Sequence, residues 1–163
     1  MPSAASVYSP EMPSPGSGGG PAEGPVGDRL HFHHLGVVVP TFEHADRFMR
    51  FFGLKELWRG DAPKYEAECI FVRFGGIRIE FIIPYGERLR RFNKGKGGIH
   101  HVAVTSDLPV AEEVRRLTAE QGAVFLEEAT VPGASLDVNF LQPICTGGLL
   151  VEFVEPQEAV RDL

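Results

Sequence analysis

Cysteine is scarce: among 163 residues only Cys69 and Cys145 carry thiols. Two cysteines so far apart do not make the disulfide framework of a small secreted domain, so both are read as reduced, small buried residues. Concentrated positive charge is missing as well. The formal net charge is -6, and without a basic stripe to neutralise phosphates a nucleic-acid partner is excluded. No apolar run approaches the roughly 20 residues that a membrane-spanning helix requires, and the N-terminus lacks the charged start and apolar middle of a secretory signal. The expectation is therefore no membrane partner and a cytoplasmic address.

Lys and Arg are absent until Arg29, and the preceding residues are dominated by Pro, Gly, Ser and Ala, including Ser17-Gly18-Gly19-Gly20-Pro21. Such a segment buries too little apolar surface to offset its ordering entropy, which predicts a disordered tail over residues 1–29. What remains is long enough and apolar enough for a packed core. It divides into a first module at 30–86, a linker at 87–98, a second module at 99–156 and a C-terminal tail at 157–163.

The division rests on an internal repeat. His33-His34-Leu35-Gly36-Val37 opens the first copy and His100-His101-Val102-Ala103-Val104 the second. The copies also close alike, with Ile79-Glu80-Phe81-Ile82-Ile83-Pro84 and Val151-Glu152-Phe153-Val154-Glu155-Pro156. Phe32 to Val39 and Ile99 to Thr105 read as buried strands. Each is followed by a helical stripe: Phe42, Ala45, Met49 and Phe52, capped by Thr41 and stopped by Gly53, and later Val110, Val114 and Leu117, capped by Asp107 and stopped by Gly122. The aromatic stripe is read as packing against a sheet. His44, among polar neighbours, is read as solvated.

Arg59 to Pro63 predicts a turn, and Ala67 to Phe74 with Ile77 to Ile83 predicts a hairpin about Gly75-Gly76. In the second copy, strands are expected at Val124 to Glu127, Leu136 to Leu141 and Leu149 to Val154. The linker, with Arg88, Arg90, Arg91, Lys94 and Lys96, is a solvated loop or short amphipathic turn, whose functional reading is contact with an anionic ligand.

Glu80 and Glu152 each interrupt an otherwise apolar strand, and a buried carboxylate must be paired, hydrogen-bonded or metal-bound. Adjacent strand residues point to opposite faces, so one His of each pair looks into a given cavity. Two imidazoles and two carboxylates at matched points of a duplicated unit suit a divalent ion such as Co, Mn, Ni, Zn or Fe. The lack of thiolates argues against a closed structural zinc site.

These residues resemble the vicinal oxygen chelate (glyoxalase/bleomycin resistance) superfamily over about residues 30–156. Within it, Phe92 to His101, Asn139 to Pro143 and Cys145 to Glu152 are most similar to the methylmalonyl-CoA epimerase family. The resemblance implies an α+β fold of two tandem βαβββ modules, forming a curled mixed sheet around a metal cup. It also implies His34, Glu80, His101 and Glu152 as metal ligands, with His33 and His100 facing away, and a homodimer. The implied activity is epimerisation of an acyl-CoA substrate through a stabilised enolate, Glu152 serving also as a catalytic base. The second base falls at Cys69 on a gapless reading, or at its neighbour Glu68 if a slip or bulge turns that residue inward. Alternatives are a glyoxalase-type isomerase, a lyase, a decarboxylase, a dioxygenase, or a ligand-sequestering protein without catalysis.

Overall fold

The computed structural model describes residues 26–157. Most of the predicted N-terminal tail and nearly all of the C-terminal one lie outside them. The first described residues depart from the expected tail: Val26–Arg29 forms a 3-10 turn, and Arg29 is buried in an ion pair with Glu113 at 3.0 Å.

The first module runs β1 (Leu30–Val38), α1 (Phe42–Phe52), β2 (Glu56–Ala62), β3 (Ala67–Phe74) and β4 (Ile77–Pro84). A short helix, α2 (Glu87–Arg90), and a 3-10 turn at Phe92–Gly95 carry the chain to the second. There β5 (Gly98–Ser106), α3 (Val110–Gln121), β6 (Val131–Pro132), β7 (Leu136–Leu141) and β8 (Val151–Pro156) repeat the order. Among the described residues no helix is long and apolar enough to cross a membrane.

All eight strands join one sheet in the order β2-β3-β4-β1-β5-β8-β7-β6. The first strand of each module pairs in parallel with the last of the same module, β1 with β4 and β5 with β8. The two modules are joined through the antiparallel pair β1 and β5. The fold is thus the mixed α+β arrangement of two βαβββ units.

Alternation along the strands sorts side chains onto two faces. On β3, Ala67, Cys69 and Phe71 belong to one apolar cluster while Ile70 and Val72 belong to another. The second cluster lies under α1 and includes Ala45, Phe48 and Met49. The predicted packing stripe of that helix is borne out at Ala45 and Met49, whereas Phe42 and Phe52 of the same stripe, and Phe51, remain exposed. A third cluster seats Val110 and Val114 of α3 on Phe153 of β8.

The first cluster lies inside the curl. It brings Ala62 and Ala67 from one end of the sheet together with Leu136 and Val138 from the other, which a flat sheet of this order would hold far apart. Tyr65 meets Phe140 across the same gap, ring centroids 5.3 Å apart, and Lys64 pairs with Glu127 at 2.8 Å. The sheet wraps around a cavity.

Four local expectations change. Residues 59–62 form part of edge strand β2 rather than a turn, since the chain turns only at Pro63–Tyr65. Residues 124–127 form no strand beyond an isolated bridge between Phe125 and Leu141, and the short β6 lies later. The N-cap of α3 is Pro109, because the Asp107 carboxylate is drawn 2.8 Å from His31. Thr41 occupies the N-cap of α1, but its hydroxyl meets the exposed His44 side chain instead of a backbone N–H.

Candidate metal centre

Strand register brings the repeated residues into one place. Across β4, β1 and β5, Glu80 lies beside Gly36, which lies beside His101. Across β1, β5 and β8, His34 lies beside Ala103, which lies beside Glu152. The two rows are related by the duplication. In each, the position between imidazole and carboxylate is small, Gly36 in one row and Ala103 in the other. A Cβ built on Gly36 would overlap the His101 ring.

The four side chains are buried, His34 completely. His34 Nε2 stands 3.1 Å from His101 Nε2, 3.3 Å from Glu80 Oε2 and 3.2 Å from Glu152 Oε2. His101 Nε2 lies 3.4 Å from Glu80 Oε2 and 3.2 Å from Glu152 Oε2. These are close contacts aimed at a shared centre rather than a closed set of aligned hydrogen bonds: Glu152 Oε2 has no hydrogen-bond partner despite its two neighbours. Atoms spaced like this sit about 2 Å from their common centre, the length of a metal–nitrogen or metal–oxygen bond. The set fits a divalent ion.

Electrostatics point the same way. Burial opposes charge on His101, but the Glu152 and Glu80 carboxylates outweigh it and push its pKa up to about 10. His34 is raised by the same competition. Against the cost of burial, the paired imidazoles hold both carboxylates below the usual range. The pocket concentrates negative charge and demands compensating positive charge, which protons or a dication can provide.

Each inward ring is gripped from behind by the preceding His. His33 Nδ1 lies 2.7 Å from His34 Nδ1 and accepts at Nε2 from Arg78, 2.8 Å away. His100 Nδ1 lies 2.9 Å from His101 Nδ1. Burial, joined by the neighbouring inward His, pulls His33 and His100 down to about 4. They are neutral groups that contact the inner rings from behind, while the inner Nε2 atoms point at the shared centre. Facing away is too simple for His100, which also touches the cavity.

That cavity holds about 330 Å³ and opens beside Glu80, His101 and Glu152. Its walls are largely apolar, with Ile82, Leu126, Leu136 and Phe140 among them. Volume and lining match a site for a small organic ligand.

Comparison with known proteins places the chain in a family. Residues 33–140 match the model of the Glyoxalase/Bleomycin resistance protein/Dioxygenase superfamily. The chain belongs to that superfamily. Among curated relatives of this vicinal oxygen chelate group, it is 30% identical over 138 residues to the mitochondrial methylmalonyl-CoA epimerase of Bos taurus, covering 81% of this chain and 78% of that one. The relative's name places it in the mitochondrion, unlike the cytoplasmic address expected above. Of solved structures, hypothetical protein BH1468 from Bacillus halodurans C-125 has a TM-score of 0.69 at 27% identity, with 79% of this chain and 96% of that one covered. Methylmalonyl-CoA epimerase from Mycobacterium tuberculosis has a TM-score of 0.71 at 22% identity, with 81% and 91% covered.

Of the two residues expected at the second-base position, Cys69 reaches the cavity and Glu68 does not. Cys69 pairs with Ile82 and Glu68 with Ile83 in an unbroken β3 and β4 register. No bulge turns Glu68 inward. Its carboxylate lies on the other face of β3 in an ion pair with Arg59 at 3.1 Å, while Cys69 lines the cavity. Burial and the nearby Glu80 push the Cys69 thiol well up, so it is a protonated thiol and not a base. Sequence reasoning also missed Gly36, which is visible only through strand register, and Tyr65, which no spacing marked.

Proposed function

We propose that this chain is a metal-dependent epimerase or isomerase of a 2-acyl-CoA thioester such as methylmalonyl-CoA. The observation that carries the reading is the buried tetrad of two His and two Glu opening into an apolar cavity. The named activity of the Bos taurus relative supports it. His34, Glu80, His101 and Glu152 would hold the ion, of a kind taken from Co, Mn, Ni, Zn or Fe. Once bound, such an ion supplies Lewis-acid stabilisation of charge developing on substrate oxygens.

The protein's own part is to place the acyl group and move a proton. The apolar walls exclude water around the carbon between thioester and carboxylate, which strengthens the electrostatics of the site. Glu152, at the boundary of tetrad and cavity, takes the α-proton; the C–H electron pair moves toward the thioester oxygen as an enolate, and the proton rests on the carboxylate. His33 and His100 keep the inner imidazoles oriented throughout. Epimerisation is completed by return of a proton to the opposite face of the carbon from a donor other than Glu152, whereas return by Glu152 itself gives exchange without inversion. The same reading includes a homodimer.

A second reading follows from the position of Glu68. With that carboxylate outside the cavity, proton transfer from one face suits a one-base isomerase, lyase or decarboxylase of the same substrate class.

The direct test is exchange of the substrate α-proton with deuterated water by metal-loaded protein. Exchange well above the metal-only control is expected for wild type and for Glu68→Gln, and not for Glu152→Gln. No exchange by wild type would refute the enolate reading for that substrate.

A further inference from the structure

The two modules open with a matching irregularity. In the pairing of β1 with β5, one step along one strand twice faces two steps along the other: Phe32 and His34 lie opposite Val104 and Ala103, and His101 and Ile99 lie opposite Gly36 and Val37. His33 and His100 are therefore the extra residues of two β-bulges. In a regular strand each would point away from the His that follows it, but a bulge re-aims its side chain. Both rings accordingly turn back to the inner ones, Nδ1 to Nδ1, at 2.7 Å for His33 and 2.9 Å for His100.

The far edges of these two rings meet different surroundings. His33 Nε2 accepts from Arg78 at 2.8 Å, and its ring borders a recess of only about 20 Å³, room for little more than a water. His100 is half-buried and lines the main cavity together with His101 and Glu152. Its Nε2 has no hydrogen-bond partner among the described residues, and it is not closed to solvent as the Tyr65 hydroxyl is. The ring is steadied by Phe92, which it meets at a steep angle with centroids 5.1 Å apart.

The proton on His100 follows from its contact with His101. An imidazole that holds an ion through Nε2 keeps its proton on Nδ1. For His101 that proton points to His100 Nδ1, which must then accept, so the His100 ring carries a proton on Nε2. One outer His is thus committed to Arg78, and the other offers an N–H to the cavity.

We propose that His100 is a substrate-binding residue whose Nε2–H donates a hydrogen bond to an oxygen of the acyl group bound in this cavity. The inference rests on the acyl-thioester reading above and deepens it. The acceptor is the thioester oxygen or an oxygen of the 2-carboxylate.

Asn and Gln separate the two ring nitrogens, because the Asn amide reaches about as far as Nδ1 and the Gln amide about as far as Nε2. Metal-loaded wild type, His100→Asn and His100→Gln are titrated calorimetrically with methylmalonyl-CoA, propionyl-CoA, free CoA and methylmalonate, and metal affinity is measured alongside. His100→Asn should lose about tenfold in affinity for methylmalonyl-CoA without loss for free CoA, and His100→Gln should recover most of it. Loss shared with propionyl-CoA assigns the thioester oxygen; loss for methylmalonyl-CoA and methylmalonate alone assigns the carboxylate. Equal loss for free CoA would put the contact on the carrier and overturn the proposal, as would unchanged affinities in His100→Asn. Ligand loss that merely follows lost metal, in both variants alike, would reduce His100 to a support for His101 and overturn it too. In Zn-loaded wild type, nitrogen NMR of labelled histidines should find His100 protonated at Nε2, with that signal shifted by methylmalonyl-CoA; a proton on Nδ1 instead contradicts the donor. Wild type that binds methylmalonate but no acyl-CoA removes the thioester reading, and the donor then stands or falls on whether His100→Asn weakens methylmalonate. Binding of neither removes both.

Discussion

Gly36 shows how much of the site depends on one missing methyl group. It lies between Glu80 and His101 in strand register, and the His101 ring occupies the space that a Cβ would need. Gly36→Ala therefore moves a ligand without touching its chemistry. Metal affinity should fall about 10- to 100-fold, the usual effect of disturbing a group that orients a ligand, as measured by competition with a chelating dye. Ala103, between His34 and Glu152 in register, already carries a Cβ, so the two halves of the site are not identical. Glu68 and Cys69 make the complementary point. They differ by one step along β3, yet that step separates a surface ion pair from the cavity wall.

At the scale of elements, the duplication decides the architecture and a buried ion pair ahead of β1 secures it. Helix α3 is tied to the turn before β1 by Arg29 and Glu113, whose side chains are only 7% and 0% exposed. Removing Glu113 takes a buried ion-pair partner from Arg29, and Glu113→Ala should cost about 3 kcal/mol, read from urea denaturation. Much of this level was legible in the sequence. The His pairs and the Glu residues in apolar strands marked β1, β4, β5 and β8, and Gly53 and Gly122 did end their helices in the left-handed conformation. Edge elements were not legible. Strand β2 is polar and contains Gly60 and Asp61, so its composition reads as a turn while its pairing with β3 makes it a strand. Val124 to Glu127 has the reverse fate: a strand-like composition is spent on packing, and its backbone bonds go to loop-type contacts such as Leu126 N–H to Phe140 C=O at 2.8 Å. The site was legible as residue types because it was repeated. The cavity around it was not, since Tyr65 and Arg88 face it only after the sheet has curled.

For the whole molecule, the tetrad is a place where folding and ligand binding share one free energy. Four strands, two from each module, each contribute one buried ligand-type side chain, so an ion held by all four also holds the modules together. An ion present at a hundredfold excess over its Kd adds about 2.7 kcal/mol to the folded state. In a domain of this size that raises Tm by about 5–10 °C. The most direct test is thermal unfolding of the purified chain with and without a chelator, then after addition of Co, Mn, Ni, Zn or Fe ions, for wild type and for His34→Ala. A rise of that size with at least one of these ions, reversed by the chelator and lost in His34→Ala, is the predicted result. A Tm that no divalent ion moves, or a shift that survives His34→Ala unchanged, would contradict a metal centre built from these four residues.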